Sequence, residues 1–414
     1  MNLEKFKALT PDIVWQKIFK KAQIFPLGYD FIVLLFALLG FAYLLMFPVL
    51  LVVGAWQIAA TPFQSHAPGA AAMYLVFWAG ITALAGSVTV YMIKVRFRRI
   101  DGITINAHTT DKLHRLLDKI SIQTNIPRID HIIVTEKLSL DVVKTPVCAL
   151  PVWSTNTLVI GLPLMQCLSP EYFECAVTRK LLQYSKQRHW FAKWLYQLRT
   201  TWALYLQALS ANVTFNNFLL LLFFQFYAPF YRRISTPVAY RCELEADKDT
   251  LELVNDEDLL QTIETVIVTK IYLDQQYWPK VAKMLVDKTR YGIQPYTKLE
   301  DILKVGLTSK TSKRWLDTLY CHESPRINPV PGLRARMNNI GRSRIRIPEK
   351  INETAAHYYL DRNYASVVAG VNQLWQARHS QLATPVAPQN TNTTVVAEPP
   401  STPAANHLSG NLFH

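Results

Sequence analysis

Two stretches hold the residues whose types and spacing could do chemistry: Glu171–His189, EYFECAVTRKLLQYSKQRH, and Cys242–Asp247, CELEAD. Both read as helices. Zinc chemistry on a helix asks for two histidines one turn apart on one face, with a glutamate between them to activate a bound water. The first stretch has no such pair, because no histidine occurs between His131 and His189. Cysteine chemistry is the other option. Cys175 lies on the same helix as Lys180, yet no His/Asp partner is visible that would activate it. Glu243 and Asp247 stand four residues apart and on their own read as acids on one helix face. The five cysteines, Cys148, Cys167, Cys175, Cys242 and Cys321, contain no CxxC pair. Neither a zinc knuckle nor a disulfide framework is indicated, and a reducing compartment is the simpler reading.

The elements that must position these residues begin at a membrane. Half of the 414 residues are hydrophobic and only 18% are charged. That suits a few membrane spans joined to a soluble domain. From Phe31 to Trp56 there is no charged residue, which more than spans a hydrocarbon core of about 30 Å. Pro48 is a potential kink. A second apolar run covers about Ala70 to Ile93. Lys and Arg flank the outer ends of this pair and are absent from the link, so both termini and everything after Lys94 are expected in the cytoplasm. The same distribution accounts for the net charge of +14 without nucleic acid, leaving RSRIR at 342–346 as the one soluble-side candidate for such binding. The N-terminal 1–28 is basic and amphipathic, and is read as leading into an uncleaved anchor.

Beyond the spans, Leu113, Leu116, Leu117, Ile120 and Ile122 follow helical spacing behind a cap at Thr109 or Thr110, with His114 on the surface. Strands are expected at 131–136, around Val147–Val152, and over TLVIGLPLM at 157–165. Ser169 caps the next helix, with Pro170 at its first position, and the helix is expected to continue to about Leu198. A hydrophobic hairpin, Trp202–Val213 and Phe218–Phe230, turns at TFNN and ends at Arg232 and Arg233. Helix is expected from Val238, then over 256–288 with Pro279 interrupting. An irregular basic segment at 325–348, a helix near 352–377 and a disordered Pro/Thr/Asn/Ala tail over 381–414 complete the chain.

This order of features resembles the HtpX / CAAX prenyl protease family of integral-membrane zinc metallopeptidases. The resemblance is carried by Gly161-Leu162-Pro163 through Trp190, including Leu168-Ser169, Ala176-Val177, Lys186, Arg188 and His189, and by the later Glu243-Leu244-Glu245-Ala246-Asp247. It covers about residues 100–340. It implies an α+β, mainly helical architecture: two N-terminal transmembrane helices over 29–95, and a gluzincin-like metallopeptidase domain over 96–348. That domain would carry a small β-sheet and a membrane-associated hairpin (202–230), with a helical segment over 349–380 after it. It also implies that the family's H-E-x-x-H falls on Lys180, Leu181, Leu182, Gln183 and Tyr184, that Glu243 keeps the third-ligand position, and that Asp247 is the residue that orients a ligand. No histidine stands at either ligand position, and leucine is no general base. An ion pair between Lys180 and Glu243 is the expected replacement for the metal, and no cofactor is expected. Cys148-Ala149 replaces a polar edge-strand position, Asn328-Pro329 with Arg334 stands for a His-Pro element, and His189 and His322 are not expected to be ligands.

The resemblance and this loss together imply a catalytically inactive pseudoprotease of a bacterial inner membrane, with its main domain facing the cytoplasm. It would act as a binding or regulatory subunit in membrane-protein quality control. Its partners would be the lipid bilayer and membrane proteins or a membrane protease complex. Two other readings stay open. One is an active membrane metalloendopeptidase with a non-standard site, for which zinc would be the cofactor. The other is a membrane scaffold unrelated to proteolysis, docking through 325–348 and the tail.

Overall fold

A computed structural model describes residues 15–61, 68–95, 97, 100–105, 110–126, 128–146, 154–184, 190–211, 213–286, 293–307, 310–321, 329–342, 345, 348–349 and 351–380. Cys148, His189, His322, Asn328, most of RSRIR and the 381–414 tail lie outside them. The chain is mostly helical and divides into two compact units.

The first unit takes in Met1–Arg99, Val143–Thr157 and Lys186–Cys242. Its helices are α1 (15–24), α2 (Pro26–Ala60), α3 (Pro68–Lys94), α7 (Trp190–Ala211) and α8 (Phe218–Ile234). Both α2 and α3 are long and apolar enough to cross a membrane, and α2 runs through Pro48. Their outward faces carry bare apolar side chains, among them Leu27, Val52, Trp56, Met73 and Val76. The two apolar runs of the hairpin are helices too, and a short turn at Phe215–Asn217 joins them. There the Thr214 backbone N–H donates to Asn217 Oδ1 at 2.8 Å, and Asn217 Nδ2 donates to Tyr91 Oη at 2.9 Å. Close approach of α2 and α8 needs Gly40, where a Cβ would fall 2.6 Å from Tyr227 Oη; small residues serve such contacts between apolar helices. Trp202, Phe224 and Tyr231 fill the core of this unit.

The second unit takes in Ile100–Val142, Leu158–Ser185 and Glu243–His414. A four-stranded sheet runs in the order β1-β2-β4-β3, with β1 at Ile103–Ile105, β2 at His131–Thr135, β3 at Leu140–Pro146 and β4 at Ser154–Gly161. β1 pairs antiparallel with β2, Ile103 opposite Val134. The helices are α4 (Asp111–Thr124), α5 (Leu162–Cys167), α6 (Pro170–Leu182), α9 (Thr236–Leu251), α10 (Asp256–Tyr272), α11 (Trp278–Val286), α12 (Leu299–Gly306), α13 (Lys310–Cys321), α14 (Leu333–Ile340), α15 (Ala355–Leu360) and α16 (Tyr364–Ser380); the first seven residues of α9, Val143–Pro146 of β3 and Ser154–Thr157 of β4 belong to the first unit.

Several expectations are corrected here. Leu162–Met165 belong to α5, because Pro163 starts a helix and ends the ladder at Gly161. The strand after β2 is Leu140–Pro146, and the expected 147–152 lies outside the described residues. The helix from Ser169 stops at Leu182, where Gln183 and Tyr184 turn, and α7 starts at Trp190; residues 185–189 lie outside the described residues. Helix continues through Pro279, as α11, but its α-helical pattern breaks in the turn before it into a π-helical turn at Leu273–Tyr277, where the ladder is shifted ahead of the N–H that proline lacks. The basic segment 325–348 contains a helix, α14, and Ile122 is exposed although its four companions on α4 are buried. Thr110 stands at the cap position of α4 without a side-chain capping bond.

Candidate functional site

α6 is the helix on which the resemblance puts the ligand positions, and its start is fixed by local bonds. Ser169 Oγ accepts from the Tyr172 backbone N–H at 3.3 Å, Pro170 opens the helix, and Glu171 lies in the first turn. Its approach is set by Gly161, where a Cβ would lie 1.8 Å from the Lys137 carbonyl oxygen. The Gly161 N–H donates to Ser139 O at 2.7 Å. Only glycine fits. From Phe173 to Leu182 all but Glu174 are buried, so the helix end bearing Arg179 and Lys180 is enclosed.

Glu243 and Asp247, one turn apart on α9, are also buried and do not decorate a surface. Between them and α6 stands Arg179. Its Nε donates to Asp247 Oδ1 at 2.6 Å and its Nη2 donates to Glu243 Oε2 at 2.7 Å. Arg336 of α14 closes the other side of Asp247, Nε to Oδ2 at 2.9 Å and Nη2 to Oδ1 at 2.8 Å. The set holds two guanidinium groups and two carboxylates, all within 3% of full burial. Its formal charge is zero, the condition under which ions are tolerated in an interior. Burial works against the charge of Arg179, but Asp247 and then Glu243 outweigh it and hold its pKa above the ordinary arginine value.

Lys180 is fully buried and pairs with Asp141 of β3 at 2.9 Å. Tyr184 is buried as well, and burial, then Asp141 and Glu243, push its phenol well above 10. Positions 180, 184 and 243 therefore share one buried neighbourhood. Lys180 is expected to pair with Glu243 but pairs with Asp141; the residue that bonds both acids is instead Arg179, one position earlier. The only signal that could have found it is charge balance: two acids destined for an interior require more than one cation. Arg336 carried no such signal, since it sits in a segment read as irregular. Leu181 and Leu182 are core residues. Gln183 is buried, and neither its amide nitrogen nor its oxygen finds a hydrogen-bond partner among the described residues.

The other candidates take bland places. His131 is exposed, and His114 Nδ1 donates to Thr110 O at 3.0 Å. Cys175 is buried with its thiol pushed up to about 12 by burial, which removes the thiolate a nucleophile needs. Arg334 is exposed and lies 5.9 Å over the Tyr320 ring. Arg342, from the basic run, pairs with Asp256, Nε to Oδ2 at 2.7 Å.

Zinc does not fit this donor set. The positions that the resemblance assigns to ligands hold an ammonium-bearing lysine and a tyrosine whose phenol is held protonated, and both acids are engaged by guanidinium groups. Among the described residues no group of three or more His, Cys, Asp or Glu side chains is placed to hold a metal ion. No protein-family model, curated protein or solved structure matches this chain.

Proposed function

We propose that this protein is a membrane-anchored, metallopeptidase-like chain in which a buried ionic core stands where zinc chemistry would be. It works by binding, as a regulatory or adaptor subunit for membrane proteins or a membrane protease complex. One observation carries the reading: the Arg179 guanidinium lies between Glu243 and Asp247, on the helix whose next residues are Lys180 and Leu181. A peptidase of the resembled family needs a ligand carboxylate free to face a metal and a carboxylate free to take a proton from water. Here the first is neutralised by an arginine, and the second is a leucine.

The Arg179 guanidinium, held charged by Asp247 and Glu243 against the pull of burial, makes this a fixed arrangement rather than a switch. The frame around it remains worth keeping for a binding protein, because Ser169, Gly161 and the α6–α9 pairing still set a rigid surface. Bilayer anchoring is supported by two apolar helices with bare outward faces. Apolar faces of that extent are costly in water and neutral in lipid. The cytoplasmic orientation rests on the Lys/Arg asymmetry, and the inner-membrane location on the family resemblance.

The test uses full-length protein purified from membranes in mild detergent and equilibrated with zinc. Mass spectrometry of the metal should find substoichiometric zinc, and unfolded membrane proteins should remain uncleaved. Cross-linking in intact membranes should trap a protein neighbour. Stoichiometric zinc with a chelator-sensitive cleavage that disappears in Glu243→Ala would overturn the proposal.

A further inference from the structure

A cleft of about 430 Å³ opens in the second unit, between the β2–β3 connection, the α10–α11 helix and α16. None of its lining residues belongs to the Arg179 cluster. Its size falls in the range of small-ligand sites, about 300–1,000 Å³. Aromatic rings make its walls. Trp278 meets Tyr296 edge-on with centroids 5.8 Å apart, and Trp375 stacks on His379 at 4.5 Å. The π-helical turn at Leu273–Tyr277 forms part of one wall, bringing Asp274 to the cleft. Such turns are uncommon and cluster at functional sites.

The polar groups are unevenly satisfied. Glu136 Oε1 accepts from Arg378, while Glu136 Oε2 is buried and has no hydrogen-bond partner among the described residues. Its position is held from behind, since Tyr296 Oη donates to the Glu136 carbonyl at 3.0 Å. A buried carboxylate oxygen without a donor is a cost that a bound N–H would relieve. Asp274 offers a second carboxylate, which burial pushes up in pKa against the pull of Lys270. Two cations, Lys137 and Lys270, also line the cleft. Lys270 lies one turn before Asp274, and burial lowers its pKa.

We infer that this cleft binds a small organic cation with an aromatic or apolar body, its N–H donating to Glu136 Oε2 and its body lying against Trp278 and Trp375. Aromatic faces attract cations electrostatically, and a carboxylate acceptor behind them fixes the direction of the charge.

Three fluorinated probes test this on the full-length protein in detergent, read by fluorine NMR: 4-fluorobenzylamine, 4-fluorobenzyl alcohol and 4-fluorophenylacetate. The amine should bind saturably, more tightly than the alcohol, with the carboxylate weakest. Glu136→Gln preserves shape and the backbone bond from Tyr296, and should weaken the amine about tenfold, the loss expected for one charge-assisted hydrogen bond. Trp278→Ala should remove saturable binding, and Trp375→Phe, which keeps a ring in the wall, should retain most of it. The inference falls if the carboxylate binds best, if Glu136→Gln leaves the amine's affinity unchanged, or if no probe saturates. None of these outcomes bears on zinc content, so the cleft and the ionic core are tested separately.

Discussion

Replacing Arg179 with methionine is the perturbation that most directly tests the ionic core. Methionine keeps an unbranched stem to pack on α6 but removes the guanidinium and its charge. Arg179 makes contacts of 2.6 Å to Asp247 and 2.7 Å to Glu243. Each is about 6 kcal/mol of gross Coulomb attraction at an effective dielectric near 20. Most of that offsets the several kcal/mol needed to desolvate each ion. The net pair is therefore modest, but the one-sided loss is not. Arg179→Met leaves the buried set with one positive charge against two negative ones, and removal of one partner of a buried pair costs about 3–5 kcal/mol. Arg336 still holds Asp247 through two bonds, so the loss should fall at the lower end. Denaturant unfolding in detergent, with hydrogen exchange on α6 and α9, measures it. The loss should shrink as pH falls, because protonating one carboxylate restores neutrality. Arg179→Met/Glu243→Gln, which removes one charge of each sign, should recover most of the stability at neutral pH. A loss under about 1 kcal/mol for Arg179→Met, the scale of an exposed pair, would refute the buried ionic core. So would a double variant no better than the single one.

Other outcomes follow from the same geometry. Gly161→Ala should cost about 2 kcal/mol or more, since its Cβ would meet backbone at 1.8 Å rather than a yielding side chain; a neutral result in thermal unfolding would contradict the close approach. Gln183→Leu should leave stability unchanged or raise it by about 1 kcal/mol, because it removes a buried amide without partners among the described residues; clear destabilisation would show that the amide is satisfied by water or a partner. Cys175, with its thiol held near 12, should react with a maleimide far more slowly than exposed Cys321, as read by peptide mass spectrometry; equal rates would mean that α6 is not enclosed. The Tyr184 phenol is raised above its unfolded value, so its contribution to stability is complete below about pH 10 and is lost as pH rises beyond that. Tyr184→Phe should lessen the fall in stability between about pH 10 and 11, and an unchanged slope would count against its burial.

What the sequence by itself determined is whatever depends on local pattern. The charge-free run Phe31–Trp56 and the run to Ile93 are helices because length and hydropathy leave no other way to satisfy their backbones. Ser169-Pro170 starts a helix because a hydroxyl and a missing N–H both suit that position. The absence of histidine from 180–184 is a matter of letters alone, and it leaves the positions that the resemblance assigns to zinc without imidazole whatever the fold. The resemblance also pointed to Glu243 and Asp247 as the acids facing that helix. What only the tertiary structure decided is which cations meet them. Arg179 and Lys180 are neighbours in sequence, but on a helix they point about 100° apart, so one reaches α9 and the other reaches Asp141 on β3. Arg336 arrives from 89 residues beyond Asp247, out of a segment whose prolines and arginines look irregular until α14 folds against the acids. Periodicity and motif report what a residue's near neighbours can do. Burial, charge balance and the direction of a side chain are set by elements far away in the chain, and they gather Arg179, Arg336, Glu243 and Asp247 into one ionic core.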